Sequence, residues 1–199
     1  MSEIATVLFG PEEISRRVRE VGRAITRDYA NREPVLISVL KGSSMFLADL
    51  TREIDLPLTV DFMSISAYRG EVEKSGVVRI LKDLDQDVGN EDVLIVEDII
   101  DTGLTASYLV SVLQARDPQS VELVTLLDKS VRRITPLPIR YRGFDCPDRF
   151  VVGYGLDFEE RYRNLPCILA VDQYAALVEQ PRSLDQFLLE GEPPSDLSE

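Results

Sequence analysis

The stretch "VLIVEDIIDTGLTAS", residues 93–107, decides how the chain folds and what it can hold. Val93 to Val96 form a short apolar run of the kind that makes a buried strand. Three carboxylates follow, Glu97, Asp98 and Asp101, and then a small, hydroxyl-rich turn containing Thr102, Gly103, Thr105 and Ser107. From Thr105 onward "TASYLVSVLQAR" reads as a helix that ends near Pro118. In open α/β sheets, ligands bind at the carboxyl ends of the strands, and the turn lies at such an end. Small residues there let backbone N–H groups converge on an anion beside a helix N-terminus. The carboxylates just before them would repel that anion, but as pure acceptors they suit the vicinal hydroxyls of a sugar. A ribose 5-phosphate unit reconciles the two halves, its diol against Glu97 and Asp98 and its phosphate against residues 102–107. Neither G-x-x-x-x-G-K-[ST] nor G-x-G-x-x-G is present, so this is neither a P-loop nor a dinucleotide fingerprint. Any one of these acids alone could as well cap a helix or face water.

Outward from this stretch, the chain alternates between the two periods of regular structure. In "PEEISRRVREVGRAITRDYANREP" the residues Ile14, Val18, Val21, Ile25 and Tyr29 recur every three or four positions, which predicts an amphipathic helix. Glu12 and Glu13 favour its start, and Pro34 lies beyond its end. Val35 to Leu40 predict a buried strand. Lys41, Gly42 and Ser43 form a turn, and Ser43 or Ser44 caps a helix over 44–53. Strands are expected over 58–66, in "VVRIL", in "DVLIVED" and in "SVELVTLLDK". "FVVGYGLDFEERYRNLPCILAV" holds two more, joined by a long polar loop. Strands alternating with helices imply an α/β fold: a twisted, mostly parallel sheet flanked by helices.

The chain has 199 residues, enough for one domain, with 44% apolar residues to build a core. Its formal charge is −13, which disfavours non-specific binding to nucleic acid or an anionic membrane. Histidine is absent, which removes Ser-His-Asp triads, Cys-His dyads and histidine-bearing zinc sites. Proton transfer is left to carboxylates, lysines, tyrosines and hydroxyls. Cys146 and Cys167 read as reduced, buried thiols, and no signal peptide or membrane-spanning run is visible, so the expected compartment is the cytoplasm. The final "GEPPSDLSE" is acidic and proline-bearing, as a disordered tail would be.

The 93–107 stretch resembles the phosphoribosyl-diphosphate-binding motif of the type I phosphoribosyltransferases. With "SVLKGSSMFLADL", "DFMSISAY" and "FVVGYGLDFEERYRNLPCI", the likeness narrows to hypoxanthine-guanine phosphoribosyltransferases and covers roughly residues 8–175. It implies a type I phosphoribosyltransferase fold over 1–180, with a lid loop at 66–77, a small hood over the base built largely from 143–175, and a tail from 181 to 199. It implies a purine base and 5-phosphoribosyl-1-diphosphate as substrates, Mg²⁺ as cofactor, and a homodimer or homotetramer, without nucleic acid or membrane as partner.

The resemblance also assigns roles. Asp101 would be the base at purine N7. Glu97 and Asp98 would hold the ribose hydroxyls and, with Asp157, the metal. Thr102, Gly103, Leu104 and Thr105 would hold the 5′-phosphate. Lys41 and Gly42 would meet the diphosphate, beside a cis peptide between Leu40 and Lys41, and Arg163 would contact the diphosphate too. Lys129 would donate to the purine 6-oxo group, although a lysine at a solvated strand end is the plain reading of that residue. Phe150 would stack on the base and the Val151 carbonyl would bond its edge, although Phe150 serves equally well as a core residue. Tyr68 would act in the lid, where this chain has Ala67 in place of the usual serine.

Two other readings share the fold. A xanthine-preferring variant would differ at backbone carbonyls near Val151 and Asp157, where side-chain identity says little. An RNA-binding regulator would need a basic face, for which Lys129, Arg132, Arg133, Arg140 and Arg142 are the candidates, against the overall charge. A diphosphokinase or another ribose-phosphate enzyme would not need the base-stacking hood.

Overall fold

The computed structural model describes residues 4–67 and 78–189. The expected lid at 66–77 therefore lies, beyond the last residues of a strand, outside the described residues, as do Tyr68 and the tail from 190 onward.

The described chain forms two compact units, one comprising residues 12–148 and the other the residues up to Pro11 together with those from Arg149. The larger holds a six-stranded sheet. In chain order its elements are α1 (Pro11–Asp28), β2 (Val35–Leu40), α2 (Ser44–Arg52), β3 (Thr59–Ala67), β4 (Val78–Lys82), β5 (Asp92–Ile100), α3 (Leu104–Gln114), β6 (Ser120–Asp128) and β7 (Tyr141–Asp145), with β1 (Ala5–Phe9) preceding them in the smaller unit. The strand order is β4-β3-β2-β5-β6-β7. All neighbours are parallel except β4, which pairs antiparallel with β3 at the edge. From β2 the chain winds outward through β3 and β4, and then returns to β5 on β2's other side and winds the opposite way. The sheet's switch point thus lies between β2 and β5, where such sheets open a crevice at the strand C-termini.

The predicted helix stripe is the buried one: Ile14, Val18, Val21 and Ile25 of α1 face inward, and Tyr29 follows them just past the helix end. Val35, Ile37 and Val39 of β2 and Val93 and Ile95 of β5 share a core with Ala106, Leu109 and Leu113 of α3. Leu36, Leu94 and Val96, pointing the other way, are buried as well. Apolar side chains on both faces explain why these strands read as unbroken apolar runs rather than alternating ones.

Two local expectations change and a third holds. The Ser43 hydroxyl does not cap α2; it donates to the Val39 carbonyl at 2.5 Å and meets the Ser38 hydroxyl at 2.6 Å, while Ser44 Oγ turns back to the Lys41 carbonyl at 2.8 Å. Both hydroxyls tighten the turn instead of the helix end. The strand β7, absent from the sequence reading, extends the large sheet beside β6, so residues 143–145 belong to that sheet and not to the hood. The peptide between Leu40 and Lys41 is cis, as the resemblance implied.

The smaller unit is a three-stranded antiparallel sheet ordered β1-β9-β8, with β8 (Phe150–Val152) and β9 (Ile168–Val171), followed by the short helices α4 (Tyr174–Glu179) and α5 (Gln186–Leu189). The strand β1 also escaped the sequence reading. The connection from 153 to 167, expected to be a polar loop, places Phe158, Tyr162, Leu165 and Cys167 in this unit's core. Its backbone is pinned by Tyr154 N donating to Leu165 O at 2.9 Å and Gly155 N to Arg163 O at 2.8 Å. The expected tail begins later than 181: Leu184 is fully buried in the same core, and the Tyr162 hydroxyl donates to the Pro181 carbonyl at 2.6 Å. Both cysteines are free and buried. Among the described residues, no helix is long and apolar enough to cross a membrane.

Candidate active site

At the C-terminal end of β5 lies a cleft of about 250 Å³ lined by residues 97–103, Thr105 and Ala106. It sits at the switch point identified above. Its floor is the strand end and its wall is the first turn of α3, an arrangement that places carboxylates and helix amides in one small volume.

Gly103 makes the turn possible. It stands at the N-cap of α3 with φ 85°, a left-handed conformation that glycine adopts at no steric cost. The α3 ladder begins with Ser107 N donating to Gly103 O at 2.9 Å, so the amides ahead of it have no acceptor within the helix. Leu104 N meets only the Thr102 hydroxyl, at a long 3.5 Å. Those amides carry the positive end of the helix dipole, which favours an anion at the helix N-terminus. Thr102, Gly103 and Thr105 line the cleft; Leu104 does not, its side chain being exposed. Ser107 does not line it, and its hydroxyl is buried without a hydrogen bond, so it leaves the expected set of phosphate donors.

The carboxylates occupy the other half. Glu97 is buried, and its Oε1 accepts no hydrogen bond. Burial, with the neighbouring Asp98 charge second, pushes its carboxyl well above the ordinary 4.5. Asp98 accepts a bond from Ile99 N at 2.7 Å. Asp101 Oδ1 is shut off from water and accepts no hydrogen bond, yet Arg132 Nε lies 3.4 Å away, an ion-pair contact with poor directionality. The electrostatic conflict in the sequence is thereby eased: one acid is tilted toward its neutral form and another faces a guanidinium.

Lys129 directly follows β6 and is buried, not the solvated strand-end lysine of the plain reading. Its backbone N donates to Ile100 O at 2.9 Å, which fixes it against the cleft's strand. Lys129 and Asp101 both act on the Cys146 thiol, which burial chiefly pushes up, Lys129 opposing and Asp101 adding. Acid and lysine thus share one neighbourhood. Lys41 and Gly42 follow β2 on the other side of the switch point, Gly42 buried and Lys41 exposed.

The remaining expected residues belong to the smaller unit. Phe150 is 38% exposed, which removes it from the core. Tyr174 meets it edge-on at 5.0 Å between ring centroids and Phe158 at 6.2 Å. Val151 is buried in β8 opposite Ala170. Asp157 and Arg163 are paired at 2.8 Å, with Asp157 also accepting Glu160 N at 2.9 Å and Arg163 donating to Gly155 O at 2.8 Å.

Sequence reasoning missed the part played by the segment after Lys129. Arg133 donates to the Asp101 carbonyl at 3.1 Å and the Ile100 carbonyl at 3.3 Å, and it pairs with Asp128. The basic face weighed for RNA binding is correspondingly spent on carboxylates: Arg132 on Asp101 and Asp148, Arg140 on Asp28 and Glu122, Arg142 on Asp128 and Asp145.

A phosphoribosyl transferase domain matches residues 10–159. The chain is 49% identical over 166 residues to the hypoxanthine-guanine phosphoribosyltransferase of Bacillus subtilis, covering 83% of this chain and 92% of that protein. Against the Staphylococcus epidermidis enzyme of the same name the identity is 48%, covering 83% and 93%. Among solved structures, a hypoxanthine phosphoribosyltransferase from Staphylococcus aureus superposes with a TM-score of 0.81 at 45% identity, covering 85% of this chain and 92% of that one. The Trypanosoma cruzi hypoxanthine phosphoribosyl transferase gives 0.83 at 38% identity, covering 91% and 98%. With a switch-point cleft of this construction and likeness along most of its length, the chain belongs to the phosphoribosyltransferase family, among the hypoxanthine-guanine phosphoribosyltransferases.

Proposed function

We propose that the protein is a purine-salvage transferase. It joins hypoxanthine or guanine to 5-phosphoribosyl-1-diphosphate and releases diphosphate with IMP or GMP. The observation that carries this reading is the divided cleft at the end of β5, with carboxylates Glu97, Asp98 and Asp101 on one side and, on the other, the first turn of α3, whose amides have no acceptor within the helix.

In this reading the amides and hydroxyls of residues 102–105 bind the 5′-phosphate. Glu97 and Asp98 accept from the ribose 2′- and 3′-hydroxyls, and the unpaired Glu97 Oε1 is an acceptor that a hydroxyl proton would satisfy. Asp101, the acid beside Lys129, takes the N7 proton as the purine nitrogen attacks. Lys129 donates to the 6-oxo oxygen; a 6-amino group would present a donor to a donor, which disfavours adenine by leaving buried polar groups mispaired. Phe150, held edge-on by two aromatic neighbours, offers an exposed ring for stacking on a planar base. Asp157, Arg163, Lys41 and Gly42 complete the reading as contacts to the diphosphate and its metal.

The donor set suits Mg²⁺. Among the described residues no three His, Cys, Asp or Glu side chains gather into a metal cage. Mg²⁺ is commonly held by one or two carboxylates together with substrate phosphates, which matches Glu97 and Asp98 at the cleft and Asp157 as the candidate elsewhere. When bound it would offset the charge that builds on the departing diphosphate. The reading places the enzyme in the cytoplasm as a homodimer or homotetramer, which light scattering checks directly.

The test is a spectrophotometric assay with phosphoribosyl diphosphate, Mg²⁺ and each of hypoxanthine, guanine, xanthine and adenine. Turnover of hypoxanthine or guanine is expected, and turnover of adenine alone would overturn the role of Lys129. Asp101→Asn should lower kcat by roughly 10²–10⁴, the range for a lost general base, with IMP binding nearly intact; lost binding with unchanged turnover would refute the assignment.

A further inference from the structure

Three consecutive carbonyls of the cleft turn are all occupied from one direction. Ile100 O accepts Lys129 N at 2.9 Å and Arg133 Nη2 at 3.3 Å; Asp101 O accepts Arg133 Nε at 3.1 Å; Thr102 O accepts Ile134 N at 3.0 Å. The guanidinium that makes two of these bonds is itself aimed by Asp128, whose side chain is 6% exposed against 14% for Arg133. Its aliphatic stem lies against Gly103: a Cβ built on that glycine would come 2.7 Å from Arg133 Cδ.

A peptide group is planar and trans, so the carbonyl of one residue and the N–H of the next point in opposite directions. Holding the carbonyls of 100, 101 and 102 toward the 129–134 segment therefore turns the amides of 101, 102 and 103 away from it, to the side their residues line. Left to itself, a glycine-bearing turn would sample other orientations.

We infer that Arg133 is a positioning residue that, aimed by Asp128, locks the carbonyl side of the 100–103 turn so that its amides are pre-set for the phosphoryl group of the substrate. The inference rests on the transferase reading only in identifying that group as a ribose 5′-phosphate. Arg133 touches no substrate in this account. Its contribution is to remove, before binding, the reorganisation that a floppy cradle would need. Arginine suits the task because its rigid fork reaches two carbonyls and a carboxylate at once, which a lysine ammonium does not reproduce.

The experiment compares IMP with inosine, which lacks the phosphate, by calorimetric titration of the whole protein carrying Arg133→Met or Arg133→Lys. With Arg133→Met, affinity for IMP should fall roughly tenfold or more, while affinity for inosine stays within about twofold of wild type. Arg133→Lys should stay near Arg133→Met, since charge is retained and the fork is not. Three results would overturn the inference: unchanged IMP affinity, an equal loss for IMP and inosine, or full rescue by lysine. Asp128→Asn, which leaves Arg133 present but weakens its aim, is the second variant should Arg133→Met not fold; it must weaken IMP selectively as well, and equal binding of IMP to Asp128→Asn and wild type would refute the idea. Failure of the transferase reading looks different, because wild-type protein would then bind neither IMP nor inosine.

Discussion

Replacing Gly103 by alanine sets two separable costs against each other in one small place. The first is backbone. At φ 85° an L-residue with a Cβ is strained, by roughly 1–2 kcal/mol for the left-handed region. The second is contact. The new Cβ would lie 2.7 Å from Arg133 Cδ, 3.3 Å from its Nε and 3.4 Å from Thr135 O. Since Cδ is close to the anchored guanidinium, relieving the clash means shifting the fork that bonds Ile100 O at 3.3 Å and Asp101 O at 3.1 Å. Hydrogen bonds to a charged donor contribute about 1.5–3 kcal/mol each, and a partial loss across the fork comes to about 1–2 kcal/mol. The sum is about 2–4 kcal/mol, which for a chain of this size corresponds to a fall in Tm of roughly 5–15 °C.

A double-mutant cycle in urea separates the parts. Gly103→Ala is measured in wild-type and in Arg133→Ala backgrounds. If the contact is real, the cost should drop by about 1–2 kcal/mol once the arginine stem is gone, leaving the backbone strain alone. An identical cost in both backgrounds would refute the claim that Arg133 and Gly103 are shaped to each other. A Tm change under about 2 °C for the single variant would refute the strain estimate as well.

Two other expectations concern the large sheet. Gly143 of β7 lies so close to β6 that a Cβ would stand 2.3 Å from the Leu126 carbonyl, a backbone atom with little freedom to retreat. Gly143→Ala should therefore cost at least about 3 kcal/mol through overpacking and strand displacement, read as a lowered urea midpoint, and a midpoint equal to wild type would count against the placement of β7. Asp61 is buried, which alone would raise its pKa, but N–H bonds from Phe62, Asp85 and Gln86 and the Lys82 charge outweigh burial and hold it below the ordinary 3.8. A carboxyl depressed in the folded state stabilises it at pH values above 3.8, and that contribution is lost as pH falls through the folded value. Asp61→Asn should lower stability at pH 7 and flatten the decline on acidification below pH 4, whereas parallel pH profiles for variant and wild type would contradict this linkage.

The readability of the fold from sequence followed the length of each element. The stripe of α1 runs through Ile14, Val18, Val21 and Ile25, long enough for its period to be unmistakable. The strands β2 and β5 were legible as apolar runs bounded by turn residues, because burial on both faces removes polar positions. By contrast β1, "ATVLF", and β7, "YRGFD", are five residues each, too short for alternation to separate from chance. Glycine in β7 looks like a turn signal, and only the approach of Leu126 O explains its presence in a strand. The connection from 153 to 167 misled for another reason. Its charged residues, such as Glu159 and Glu160, face out between aromatic residues that fold inward at no regular period.

The site divides in the same way, but by sequence separation. Glu97, Asp98, Asp101 and the 102–105 turn are contiguous, so their joint chemistry could be read directly, and the structure brings them to one cleft. Arg132 and Arg133 lie about thirty residues further on, and in a linear text a basic doublet near Arg140 and Arg142 is simply positive charge. What such residues do depends on where their counter-charges stand. Each of these guanidiniums faces at least one carboxylate, and Arg133 is buried against Asp128 and two backbone carbonyls. A polyanion approaching that face would have to displace these partners against a net charge of −13, and exposed pairs such as Arg142–Asp145 would yield more readily than the buried one. The residue with most to lose by turning outward is therefore Arg133, because its departure would leave the buried Asp128 carboxylate to Arg142 alone and free the carbonyls that shape the turn. A basic cluster counted along the chain suggests a surface for nucleic acid; paired in space, the same arginines are spent on carboxylates, and in the proposal above Arg133 alone is tied to the phosphate turn.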